Sequence, residues 1–160
     1  MSIEGTIVIG RPIEEVFDFV ADERNEPTFN PRMLRAEKIS EGPIGTGTRF
    51  LATTKSMGRT IDVTIQYTAY ERPTRLGSTS SMSSADVRGM LTFEPHPQGT
   101  RMRWIWDIEP TGVSKVLSPL INRVGAHQED VIWTGLKRHL EAIPTTALTD
   151  RISGTRRSGS

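Results

Sequence analysis

The sequence contains no cysteine. Disulfides, thiolate-ligated zinc and a thiol nucleophile are therefore excluded, while the redox compartment stays open. An excess of either charge is missing too. Twenty Lys and Arg against 19 Asp and Glu leave a formal net charge of +1, without the basic stripe expected of a dedicated nucleic-acid binder. Arg101 and Arg103 alternate with Met102 and Trp104, which places the two cations on the solvated face of a strand. No apolar run approaches the length of a membrane span. The opening MSIEGTIVIG does not have the basic-then-apolar layout of a secretory signal, so the cytoplasm is the expected compartment. Catalytic signatures are equally scarce. GPIGTG has no Lys-Ser/Thr to complete a phosphate loop and reads as a turn. Paired carboxylates and a nucleophile elbow are absent. His127-Gln128-Glu129-Asp130 points its side chains in different directions around a helix, which does not suit a metal. No metal, cofactor or catalytic residue is assigned.

What is present is periodicity. A chain of 160 residues suits one domain with one core. The apolar residues cluster in periodic runs, as in a globular chain. Ile3, Gly5, Ile7 and Ile9 alternate with polar or small neighbours as a first strand. Pro12 suits the first position of a short helix, in which Ile13, Val16, Phe17 and Val20 recur at helical spacing, with Glu14 and Glu15 favouring the helix dipole. Residues 22–31, DERNEPTFNP, read as a loop or one irregular turn plugged onto the body by Phe29. Six further strands follow: 33–40, 48–57, 60–69, 76–82, one around Val87 to Phe93, and one around Met102 to Ile108. Of these, Ile61, Val63, Ile65, Tyr67 and Ala69 alternate most cleanly. Short turns make adjacent strands antiparallel hairpins, and a seven-stranded sheet curls.

The long segment from Gly112 to Ile143 recurs at helical spacing. Val113, Leu117, Leu120, Val124 and Val131 form one side, flanked by Ile121 and Ile132. Lys115, Asn122, Glu129, Asp130 and Lys137 read as the solvated face, with Trp133 towards it. Ser118-Pro119 marks either a helix start or a kink. Gln128 and Gly135 interrupt the apolar stripe. A Gln facing the core needs partners, either strand backbone and water or a guest in a cavity. The domain is read as residues 1–143, followed by a mobile tail over 144–160.

This order of elements resembles the START-like helix-grip superfamily, most closely its polyketide cyclase/dehydrase and lipid-transport group. The residues that carry the resemblance are Ile7-Val8-Ile9 followed by Pro12-Ile13-Glu14-Glu15-Val16-Phe17. Gly42-Pro43-Ile44-Gly45-Thr46-Gly47-Thr48-Arg49-Phe50 is the most specific piece. Gly99-Thr100-Arg101-Met102-Arg103-Trp104 and the closing amphipathic helix complete it, over residues 3–142. Phe29 stands where this group often carries Trp. The resemblance implies an α+β fold: a seven-stranded curved antiparallel sheet gripping the C-terminal helix, with one or two short helices after the first strand. It also implies a cavity between sheet and helix for an apolar or aromatic small molecule. Members include carriers, ligand sensors and enzymes that cyclise or dehydrate polyketides. The group has no universal catalytic motif, so none is carried over.

The inward set expected to bind such a molecule is Phe50, Ile65, Tyr67, Ser78, Ser80, Leu91, Trp104 and Trp106, roofed by Val124, Gln128 and Val131. Large side chains opposite small ones suit a pocket, and the two indoles offer flat walls for rings. Gly89 and the serines add room, because side chains that small fill space poorly. A filled core with both indoles packed on the helix is the competing expectation. Three functions follow: a binder or carrier of a hydrophobic small molecule; a cyclase or dehydratase using Tyr67 and Gln128 with ordered water; or a protein-interaction module. His96, His127 and His139 have no partner that the sequence reveals. Oligomeric state is not legible.

Overall fold

The structure is a computed structural model that describes residues 2–111 and 118–143, without the side chains of 118–124. The chain runs β1 (Ser2–Ile9), α1 (Ile13–Ala21), a 3-10 helix (Glu23–Thr28), β2 (Met33–Lys38), β3 (Arg49–Ser56) and β4 (Arg59–Glu71). It continues with β5 (Arg75–Met82), β6 (Ala85–His96), β7 (Gly99–Pro110) and α2 (Ser118–Ala142). One sheet holds all seven strands, in the order β1-β7-β6-β5-β4-β3-β2. Every neighbouring pair is antiparallel.

Period-two patterning explains the strands. In β4, Val63, Ile65 and Tyr67 are buried while Asp62, Thr64 and Gln66 are exposed, as alternation across a pleat requires. The β3–β4 connection is the two-residue loop Met57-Gly58, both at positive φ (51° and 78°), between the paired Ser56 and Arg59. That geometry matches the right-handed twist of a hairpin. Between Tyr67 and Ala69 the β4–β5 register shifts by a bulge, which sharpens the local bend of the sheet.

The short helix begins one residue later than its proline: Pro12 is the N-cap and Ile13 the first helical residue. Residues 23–28, read as loop or irregular turn, form the 3-10 helix, with the Asp22 carboxylate accepting from the Arg24 amide at its start. Phe17 is fully buried and meets Tyr70 and Phe93 edge-on, each ring 5.2 Å away. Residues 112–117, with Val113, Lys115 and Leu117, lie outside the described residues, as does the expected tail. No helix among the described residues is long and apolar enough to cross a membrane.

The last turn of α2 is fastened to the β1–α1 junction. Buried Arg11 donates from Nε to the Leu140 carbonyl at 2.9 Å, one of the terminal carbonyls that a helix cannot satisfy internally. The Gly10 amide donates to Glu141 Oε1 at 2.8 Å, and Lys137 Nζ donates to the Val8 carbonyl at 2.8 Å. Further up, Gly135 allows the helix to touch the segment after the 3-10 helix: an added Cβ would stand 2.5 Å from the Phe29 carbonyl oxygen. Alanine is the better helix former by about 1 kcal/mol. Gly135→Ala should nevertheless destabilise the domain by about 1–3 kcal/mol, because backbone cannot yield as a side chain does. A denaturant titration reads this directly.

Candidate functional site

Cross-strand register assembles the concave face in rows. Leu76, Leu91, Trp104 and Gly5 stand opposite one another across β5, β6, β7 and β1. The next row is Tyr67, Ser78, Gly89, Trp106 and Ile3. The one after is Phe50, Ile65, Ser80, Val87 and Ile108. Towards the α1 end the face is filled: Ile9, Phe93, Met102 and Thr100 are buried beside Phe17, Leu136 and Leu140. Towards the other end Ser78, Ser80, Met82, Val87, Trp106 and Ile108 face inward by parity yet stay only half-buried. Among the described residues the concave face is thus packed at one end and half-buried at the other.

The two indoles are seated by glycines. A Cβ on Gly5 would fall 2.2 Å from the Trp104 ring, and one on Gly89 would fall 1.7 Å from the Trp106 ring. Each ring therefore lies across the glycine paired with it on the neighbouring strand. This corrects the expectation that Gly89 leaves empty space, since the Trp106 indole occupies it. Trp104 packs against Trp133, with ring centres 5.8 Å apart. Its buried Nε1 has no hydrogen-bond partner among the described residues.

Tyr67 points inward as expected, but its hydroxyl is engaged by protein. It donates to the Ala21 carbonyl at 2.7 Å, and Glu23 Oε1 lies 3.2 Å away. A phenol has one proton to give, so the Ala21 carbonyl and the Glu23 carboxyl share it. Burial, then Glu26 nearby, holds the Glu23 carboxyl well above the usual range. Burial likewise raises the Tyr67 phenol, with Glu23 adding to it. Asp22 shifts the other way, lowered chiefly by its hydrogen bond from Arg24.

Another half-buried carboxyl stands on α2. Glu129 Oε2 accepts from Trp106 Nε1 at 2.7 Å and from Trp133 Nε1 at 2.8 Å. Burial pushes this carboxyl up to about 7, against the lowering effect of the two indole bonds. A buried group titrating near neutrality is a recurrent mark of functional sites.

The expected ligand residues separate into two groups. Phe50, Ile65, Tyr67, Leu91 and Trp104 are buried within the packed core. Ser78, Ser80 and Trp106 lie at its half-covered end. Over residues 125–143 of the helix the expected face is overturned at Val131. Val131 is 46% exposed, whereas Trp133 is 6% exposed and Leu136 fully buried. At 3.6 residues per turn, Val131 and Trp133 lie roughly 200° apart. The inward stripe is Glu129, Ile132, Trp133, Leu136 and Leu140, so Glu129 and Trp133 belong inside and not on the solvated face. Gln128 is half-buried and turns to Arg32: its side-chain oxygen, with the amide oriented to suit both groups, accepts from Nη1 at 2.8 Å. The Val124 side chain lies outside the described residues. His127 is exposed, His96 Nδ1 accepts from the Gln98 amide in its turn, and the His139 ring stacks on Phe19 at 5.3 Å. Glu129 was the residue that sequence reasoning missed. The only signal for it was two Trp in reach of one helix, which shows only once the strands are aligned.

A family model described as polyketide cyclase / dehydrase and lipid transport matches residues 1–141. No curated protein matches the chain in sequence. Among solved structures, the protein TTHA0849 from Thermus thermophilus superposes with a TM-score of 0.77 at 17% identity, over 89% of this chain and 98% of that one. A START superfamily protein from Mycobacterium smegmatis superposes with a TM-score of 0.76 at 12% identity, over 88% and 97%. The di-domain ARO/CYC BexL from the BE-7585A biosynthetic pathway gives a TM-score of 0.72 at 18% identity, over 88% of this chain and 46% of that one.

Proposed function

Because the chain belongs to the polyketide cyclase / dehydrase and lipid transport family and has the START-like helix-grip fold, we propose that it binds an apolar or aromatic small molecule against the half-covered end of its concave face. The observation that carries this reading is the set Ser78, Ser80, Val87, Trp106 and Ile108. All five face inward, all are half-buried, and two are serines where a filled core would place larger apolar groups. Trp106 supplies a flat wall for a ring. The packed end, with Tyr67 tied to Ala21, supplies a rigid floor.

A fluorescent apolar probe is expected to bind saturably. Ser80→Trp should weaken that binding at least about tenfold with little change in the unfolding midpoint, because the new ring has half-covered space to enter. Binding that is unchanged in Ser80→Trp removes this location. Glu129 favours a second reading, a cyclase or dehydratase acting on an aromatic or polyketide-like substrate. Its pKa of about 7 suits a group that gives and takes a proton at neutral pH. Turnover of such a substrate that disappears in Glu129→Gln, while probe binding persists, separates this reading from simple carriage.

A further inference from the structure

We propose that Glu129 is the polar specificity group of this site: its Oε1 presents a hydrogen-bond donor to a ligand oxygen acceptor, such as a ketone or quinone carbonyl, on an otherwise apolar ring system. The inference rests on the concave-face reading above and adds the chemical class of the guest.

The geometry assigns the two carboxyl oxygens different tasks. Both indole N–H groups, Trp106 from β7 and Trp133 from α2 itself, donate to the same atom, Oε2. No described residue bonds Oε1. A carboxyl oxygen has two in-plane lone pairs, and on Oε2 the two indoles take them. When the group is protonated, the proton therefore resides on Oε1. The neutral carboxyl becomes a single fixed O–H donor whose orientation is set by two aromatic anchors. One of those anchors, Trp106, lies on the half-buried part of the face.

The surroundings favour the neutral form. The charged groups that raise the pKa are Glu26 of the 3-10 helix and Asp130 of α2, both acidic. The Arg32 guanidinium, ahead of β2, is turned towards Gln128. From β7 the contact is an indole, because Arg103, Asp107 and Glu109 lie on the opposite, exposed parity of that strand. A carboxylate so placed would repel an anionic ligand, and a carboxylic acid welcomes a neutral oxygen acceptor. An apolar molecule without that oxygen gains nothing from Oε1.

The test uses two neutral fluorescent probes, an acyl-dimethylaminonaphthalene and the same fluorophore without its acyl group. In the full-length protein the acyl probe should bind more tightly. Its affinity should fall at least about tenfold between about pH 6 and about pH 8.5, as Glu129 loses its proton. The probe lacking the carbonyl should show no such fall. In Glu129→Gln the amide oxygen can still accept both indoles while the nitrogen replaces Oε1 as a donor at every pH. This variant should therefore bind the acyl probe with a flat pH profile, close to the wild-type affinity at low pH. Glu129→Ala should lose the preference for the acyl probe. An acyl-probe affinity that is flat or rises with pH in the wild type overturns the inference, as does an unchanged pH slope in Glu129→Gln. If both probes bind alike at every pH, the concave-face site stands and this assignment fails. If neither probe binds the wild type saturably, both fail.

Discussion

Replacing Leu136 by alanine is expected to lower the unfolding free energy by about 2–5 kcal/mol, whereas Val131→Ala on the same helix should change it by no more than about 0.5 kcal/mol. Leu136 is fully buried and Val131 is 46% exposed. The first deletion leaves a hole among side chains held by the sheet and cannot be refilled cheaply, because the surrounding core packs at crystal-like density. The second removes methyl groups that are already about half exposed to water. Urea unfolding of the two variants measures the difference directly. Equal costs, or a larger cost at Val131, would mean that α2 lies on the sheet with a different face. The pair therefore tests the helix orientation on which every statement about Glu129 and Trp133 depends.

The second large effect is the pH dependence of stability. Glu129 has a folded-state pKa of about 7 against a reference of 4.5. A carboxyl raised on folding binds its proton more tightly in the native state. Its contribution is fully present below the unfolded pKa and is lost as pH rises through the folded one. The stability of the wild type should thus decline between about pH 4.5 and about pH 7 through this group, by roughly 3 kcal/mol at most. Glu129→Gln removes the titration while its amide oxygen can still accept from both indoles. The variant should match the wild type near pH 4 and exceed it near pH 8 by up to roughly 3 kcal/mol. Chemical denaturation across this range measures it. A difference between the two proteins that does not change with pH would refute the raised pKa. Glu23 is also raised, by burial first, and the same sign applies to it. Asp22 is lowered by Arg24, so its contribution is lost on acidification. Neither alters the difference between wild type and Glu129→Gln, because both are present in each.

Much of the fold could be read in advance, for reasons that differ among its parts. The strands were legible because their outward residues are polar and their inward ones apolar, as with Asp62, Thr64 and Gln66 against Val63, Ile65 and Tyr67. A period of two leaves no ambiguity about which set faces the core. The turn after β3 was legible in Gly58 alone, since Met57 reads as the end of strand 48–57 yet sits in the loop at positive φ. The helix gave no such clarity. Its inward stripe includes a half-buried carboxyl and a buried tryptophan, Glu129 and Trp133, and its exposed side includes Val131. Over residues 125–143 hydrophobic spacing alone therefore selected the wrong side at Val131. The error carried into the expected site, placing Val131 inside and Glu129 in water. Gly89 was misjudged for a related reason: the atoms that fill the space above it belong to Trp106, on another strand.

Local patterning thus determined the order of elements, the curled seven-stranded sheet and which strand residues look inward, since each of these depends on the chemistry of neighbours along the chain. Only the tertiary structure decided which side of α2 meets the sheet, where the concave face is filled, and that a carboxyl sits between two indoles. Those features arise from groups far apart in sequence, Trp106 with Glu129 and Arg11 with Leu140. The cost of burying a polar group depends on partners that local sequence supplies only in part: Trp133 lies one turn from Glu129, but Trp106 comes from β7.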